Sequence, residues 1–230
     1  MIKSHTIKRT INDKSDILYS IHNGDIDTFK SLVSHVKGIA ISQSTTNSGE
    51  TFLHWATAAG QIDICRHILS IYPDAIYVMT DDEEPAIFHT AYRNSKNPAL
   101  FKLLYTHDTV NHVNNYGSTM LHILVDNKEL DIPFFKLVLS KMTPEFVNAV
   151  TKYNDSILHI AAKKGHIEAC RLLLHNIDRK TIEAKNYDNK TALDLTTSPI
   201  IKQMIKTFLA GNTDDPILAT PYEETMCALF

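Results

Sequence analysis

The sequence predicts an all-α solenoid of five to six helix-turn-helix units closed by degenerate end caps. Three observations predict it. A core of apolar-His-x-small recurs at residues 51–56, 86–91, 119–124 and 156–161, and a fifth copy at 191–195 keeps everything but the His. Successive copies stand 35, 33, 37 and 35 residues apart, and a fixed period of this length marks a stacked-repeat architecture. Within a unit the apolar residues recur at helical rather than alternating spacing, as in Ile157, Leu158, Ala161 and Ala162, then Ile167, Cys170, Leu172, Leu173 and Leu174.

The elements follow in chain order. Residues 15–33 carry Gly24 and the apolar spacing of a second helix, but Leu18 falls at the His position, as expected of an N-terminal cap. The next unit, 49–69, places Gly60 in the inter-helix turn and Ile62, Ile64, Ile68 and Leu69 on the second helix. Two middle units lack the turn glycine, near Asn94-Ser95 and near Asn127-Lys128. The step from the motif His to the basic residue of the second helix is 12 in the clear units (Arg66, Arg171) but 13 and 14 in the middle ones (Lys102, Lys136), so the middle turns are longer. Pro98 and Pro133 stand where a second helix begins, a position that tolerates a missing N–H. The unit at 155–174 is the clearest, and 200–209 supplies the second helix of a C-terminal cap after Ser198-Pro199. The expected division is an N-terminal extension 1–14, a repeat array 15–210 and a flexible tail 211–230.

Residues 155–174 resemble the ankyrin repeat at nearly every position: finger, first helix, glycine turn and second helix. The resemblance implies a solenoid in which neighbouring helix pairs bury one another's apolar faces. It also implies a protein-binding role for the finger tips and the exposed side of the first helices. The tips would be 47–50, 82–84, 115–118, 153–155 and 187–189. Tyr116 and Tyr153 stand three residues before the motif Thr or Ser, and Tyr187 is one residue off. Tyrosine suits an anchor because it covers a large area with few rotors; packing against the next finger is the other reading. The acidic run Asp81-Asp82-Glu83-Glu84 reads either as a contact for a basic partner or as a solvated loop placed well for a helix dipole. Trp55 fits inter-repeat packing or a concave-face anchor. The candidate partner-binding set is therefore Trp55, Asp82, Glu83, Glu84, Tyr116, Tyr153 and Tyr187.

Four of the twelve histidines, His54, His89, His122 and His159, occupy the motif position. The resemblance gives them a structural role, bonding to backbone and to the Thr or Ser three residues earlier and tying one finger to the next. Adjacent ones are expected about 10 Å apart, the spacing of packed helix layers, too far to share a zinc ion. The remaining histidines show no paired ligand spacing, so no metal and no cofactor is expected. Gly-rich phosphate loops, His-Glu-x-x-His and Gly-x-Ser-x-Gly are all missing, so no enzyme activity is expected either. A net charge of −3 gives no basic surface for nucleic acid. No apolar run reaches the length of a membrane span, and the first ten residues do not look like a secretory signal. Cys65 and Cys170 each lie 11 residues after their motif His and read as small buried hydrophobes. A cytoplasmic monomer is the expectation.

Cys227 fits no repeat position. With Ala228, Leu229 and Phe230 it resembles a prenylation box whose final Phe leans toward geranylgeranyl, and a buried lipid chain contributes about 0.8 kcal/mol per CH₂ to membrane affinity. Together with the Ile, Lys and Asn content, the pairing of an ankyrin-like array with such a tail resembles the ankyrin effectors of intracellular bacteria such as Legionella, and Glu223-Glu224 resembles their acidic secretion signals. No F-box precedes the array. The reading is a non-enzymatic adaptor that binds a protein partner, held at host membranes through Cys227, in host cytoplasm if it is a secreted effector. The alternative is a soluble inhibitor or scaffold with no lipid anchor.

Overall fold

The computed structural model describes residues 13–34, 46–92 and 97–219. These residues form stacked helix pairs. The N-terminal pair is Asp13–Asn23 and Ile26–Val33, and the first full unit is Phe52–Ala58 and Ile62–Ile71. Next come His89–Tyr92 with Pro98–Leu104, Met120–Asp126 with Ile132–Leu139, and Ile157–Lys164 with Ile167–Leu174. Ala192–Leu195 and Pro199–Leu209 close the array. First helices pack on first helices from Phe52–Ala58 through to Ala192–Leu195, and Ile167–Leu174 packs on both neighbouring second helices. No β element beyond two isolated bridges, Met79 with Pro85 and Val150 with Ser156, occurs among the described residues.

The motif residues make these helices start where they do. Thr51, Thr119, Ser156 and Thr191 are extended N-caps whose hydroxyls serve the third residue of the helix. In a standard capping box Glu or Gln returns the bond; here a histidine does so. The backbone N–H of Thr51 donates to His54 Nδ1 at 3.2 Å, and the Thr51 hydroxyl lies 2.8 Å from the same nitrogen. Thr119 with His122 and Ser156 with His159 repeat the arrangement. In the last unit Asp194 takes the same place, accepting from the Thr191 N–H at 2.9 Å. His89 has Ala86 three residues earlier and no such cap. Its helix opens instead through a 3-10 turn, Ala86–Phe88, and runs for a single α turn.

Leu53, Ala56, Ile64, Cys65 and Ile68 are buried in one unit, and Leu158, Ala161, Ala162, Cys170, Leu173 and Leu174 in another. Both cysteines are core residues, as expected, and burial pushes each thiol up to about 12. Pro98 opens its second helix behind Asn97, whose Oδ1 accepts the Leu100 N–H. Pro133 stands second in its own helix behind Asp131, which caps Phe134 in the same way. The glycine-less turn near Asn94-Ser95 lies outside the described residues. At Asn127 the carbonyl is met by His166 Nε2 at 2.9 Å from the following unit, while the side chain donates to Ala91 O of the preceding one. The longer middle turn is thus tied to both neighbours.

Two features depart from the sequence reading. The four second helices from Ile62–Ile71 to Ile167–Leu174 are each followed by a short connecting turn or helix: Pro73–Tyr77, His107–Val110, Pro144–Val147 and Arg179–Glu183. Each buries an apolar residue, Ala75, Val110, Val147 and Ile182 respectively. The packed body also runs past the expected boundary at 210. Leu218 is buried, Arg171 Nε donates to Ile217 O at 3.2 Å and His175 Nε2 lies 3.3 Å from Leu218 O. Residues 212–219 are therefore docked on the last full unit, because two apolar side chains there have a surface to cover. The extension through residue 12 and the tail beyond 219, Cys227 included, lie outside the described residues.

Candidate functional site

Each finger is closed by one polar side chain. Thr46, Thr80 and Thr151 accept, through their hydroxyls, the N–H four residues on, at Glu50, Glu84 and Asp155. Asn114 and Asn186 do the same for Ser118 and Lys190. Between the closing pairs the chain turns through one residue with positive φ: Gly49, Glu83, Gly117, Asn154 and Asn189. At Gly117 a Cβ would also lie only 2.9 Å from Val150 O of the next finger.

The fingers are joined by main-chain bonds in one register. Asp81 N–H donates to Ser48 O at 3.0 Å, Asn115 to Asp82 at 2.9 Å, Lys152 to Tyr116 at 2.8 Å and Tyr187 to Tyr153 at 3.0 Å. The residue after each donor therefore holds one repeating position, occupied by Asp82, Tyr116, Tyr153 and Asp188. Two tyrosines flanked by two aspartates make an aligned row along the tips. Tyr187 stands in the donor register, one residue off that row, as its spacing in the sequence implies.

Tyr116 and Tyr153 are exposed, Tyr153 by 67%. Tyr116 is also held: the Asp82 carboxylate raises its phenol above the ordinary range, by charge first and by hydrogen bonding second. Lys152 Nζ lies 5.8 Å from its ring centroid. Behind these tips a groove of about 440 Å³ is lined by Tyr116, Tyr153, Asp155, Ile160, Lys163 and Asp188. A second pocket, of about 490 Å³, lies between the first full unit and the one after it, where Trp55 is 40% exposed.

One member of the expected set leaves the outer surface. Glu84 is only 7% exposed. Its Oε1 accepts from the Tyr92 hydroxyl and, at 2.7 Å, from Asn114 Nδ2, so the carboxylate ties two units together from inside. Asp82 and Glu83 remain exposed.

Residues 87–186 match the family model for ankyrin repeats in three copies. The fold is the ankyrin-repeat fold. Among solved structures it is similar to the ankyrin repeat domain of Bcl-3, a member of the IkappaB protein family, at 17% identity and a TM-score of 0.59, with 85% of this chain and 98% of that chain covered. It is also similar to a chain from the complex of the predatory endopeptidase Bd0816 of Bdellovibrio bacteriovorus with the immunity protein Bd3460. There the identity is 20%, the TM-score 0.64, and the coverage 85% and 97%. No curated protein matches the sequence. Ankyrin repeats bind protein partners, and the fold is typically a non-enzymatic scaffold.

Two of the motif histidines join successive fingers. Because Nδ1 accepts a backbone N–H, the proton of His54 and of His159 belongs on Nε2, which lies 3.1 Å from Glu84 O and 3.2 Å from Lys190 O of the following finger. His122 Nε2 faces the Asp155 and Ala149 carbonyls without reaching hydrogen-bond geometry with either. One expectation needs correction: the His54 and His89 rings stand edge to face with centroids 5.5 Å apart, not about 10 Å, because the short 3-10 start of the His89 helix brings its ring onto the preceding unit. Among the described residues no group of three or more His, Cys, Asp or Glu could hold a metal ion, and no helix is long and apolar enough to cross a membrane.

Proposed function

We propose that this chain is a non-enzymatic adaptor that holds a protein partner along its finger tips and the concave face behind them. The observation that supports this most is the row Asp82, Tyr116, Tyr153 and Asp188, set in one register by main-chain bonds and backed by a groove. The row presents rigid aromatic area beside fixed negative charge, which suits a partner with a groove and some basic character. Action is by occupancy: the partner is held, masked or brought to a location. Replacing Tyr116 and Tyr153 together by Ala is expected to weaken partner binding by about tenfold or more while leaving helicity and melting unchanged. Unchanged affinity contradicts this face.

The location belongs to the same proposal. The tail resembles a prenylation box at Cys227, and a lipid there would place the adaptor on a host membrane, in keeping with a secreted effector. Intact mass and membrane fractionation of the chain and of Cys227→Ser in eukaryotic cells decide between this and a soluble inhibitor. A Cys227-dependent prenyl mass is the expected result; an unmodified, wholly soluble chain contradicts it.

A further inference from the structure

Glu84 and Asp155 hold matching places in two different fingers. Each closes a finger that a threonine opens, its own N–H donating to the Thr80 or Thr151 hydroxyl at 3.2 Å. Each then turns its carboxylate to the finger that follows. Asn114 Nδ2 donates to Glu84 Oε1 at 2.7 Å, and Asn186 Nδ2 donates to Asp155 Oδ1 at 2.8 Å. These two asparagines are the residues on which the following fingers are folded. Asn114 Oδ1 accepts the N–H groups of Tyr116 and Ser118, at 3.0 and 2.9 Å. Asn186 Oδ1 accepts those of Asp188 and Lys190, at 3.0 and 3.1 Å. A backbone N–H can only donate, so the orientation of each amide is fixed: oxygen to its own finger, nitrogen to the carboxylate.

A carboxylate makes a stronger acceptor for this purpose than a neutral group. At the first of the two contacts water competes little, since Glu84 is 7% exposed and Asn114 5%. One further side-chain bond lies inside each of the same finger pairs: Asn115 Nδ2 donates to Asp81 O at 2.7 Å, and Asn154 Nδ2 to Lys185 O at 2.5 Å. The step between the pairs is tied differently. Among the described residues no side-chain hydrogen bond joins the 114–118 finger to the 151–155 finger. Their links are the Lys152 N–H on Tyr116 O and the Lys152 ammonium over the Tyr116 ring.

We propose that Glu84 and Asp155 are positioning residues of the partner-binding row. Each carboxylate locks the asparagine that shapes the next tip, so Asp82 with Tyr116 and Tyr153 with Asp188 stand as two rigid pairs. Asn114 and Asn186 transmit the constraint, because the nitrogen of each is on the lock and its oxygen is on the N–H of a row residue, Tyr116 or Asp188. A tip already folded need not be ordered when a partner arrives, which favours affinity. The assignment rests on the finger face being the partner-binding face, and it adds what holds that face in shape.

Amide hydrogen exchange of the full chain, followed by NMR without any partner, tests the locks. Glu84→Met removes the acceptor at nearly constant length, whereas Glu84→Gln keeps an acceptor oxygen. The Tyr116 and Ser118 amides should exchange about tenfold faster in Glu84→Met, the loss of one hydrogen bond. In Glu84→Gln they should stay within about twofold of the parent, since a neutral acceptor is only somewhat weaker. Asp155→Leu should likewise free the Asp188 and Lys190 amides, and Asp155→Asn should keep them protected. Each loosening should stay within its own pair and leave the amides of the Ile157–Lys164 helix unchanged. Equal rates in the apolar and the amide variants overturn the locks. Acceleration spread evenly over tips and helix overturns them too, because it marks lost stability rather than lost position. None of these rates depends on a partner. Partner binding that survives Tyr116→Ala, Tyr153→Ala would instead overturn the role of the row in binding and leave the locks standing.

Discussion

His54, His122 and His159 show how a motif residue becomes a structural one. Each Nδ1 accepts the N–H of its own N-cap, so protonating it would set a second hydrogen against that donor. Burial lowers His54 and His122 to about 4 from 6.5, with the neighbouring His89 a second cause at His54, and it lowers His89 and His159 as well. The unfolded chain binds these protons near pH 6.5 and the folded chain does not. The stability they contribute is therefore present above about pH 6.5 and is lost as pH falls through about 4, each tenfold drop in a histidine's proton affinity being worth about 1.4 kcal/mol. Thermal melts across that window should show the melting temperature dropping steadily; a flat profile contradicts neutral, capping histidines. This role was legible in the sequence, since the Thr or Ser three residues earlier is visible there. The 5.5 Å approach of His54 and His89 was not, because it follows from a 3-10 start that Pro85-Ala86 permits and no spacing rule reports. The inward turn of Glu84 was hidden for a similar reason: its partners, Tyr92 and Asn114, are 8 and 30 residues away in sequence.

At the scale of elements, helix pairs and fingers could be read off period and motif, while the connectors could not. A four- or five-residue helix has too few turns to show a periodicity. Their signal is instead a single apolar residue per repeat, Ala75, Val110, Val147 and Ile182, each buried. Two of them precede an asparagine that links successive connectors: Asn111 Oδ1 accepts Thr143 N–H and Asn148 Oδ1 accepts Asp178 N–H, both at 2.8 Å. Val147→Ala should cost about 1–2 kcal/mol, the burial lost with two methyl groups plus a small cavity, read as a shift of the urea midpoint. A neutral effect would show that the connector merely spans a gap. The fingers carry one local conflict, Glu83 at φ 59 where the neighbouring fingers have Gly49 and Gly117. A side chain longer than Asn is disfavoured in that region, yet at this exposed tip it adds a second carboxylate beside Asp82.

Across the whole molecule, each unit packs on its neighbours and the ends need closing. The N-terminal pair and Pro199–Leu209 close the stack, and docking of Ile217 and Leu218 extends the C-terminal closure into what composition alone had marked as tail. Two prolines and a lost helical period correctly predict the end of helix there, but they say nothing about a short turn with two apolar side chains that can cover a neighbour. The same stacking sets the fingers in register and turns Asp82, Tyr116, Tyr153 and Asp188 into one surface. A photo-cross-linking residue placed at Tyr153, and in a second variant at Arg66 on the exposed side of a second helix, tests that surface most directly. Cross-linking in the source cells should trap one partner from the Tyr153 position and none from Arg66, with the yield lost on Tyr116→Ala. Capture of the same partner from Arg66 alone, or equal capture from both, would contradict the finger face as the binding face.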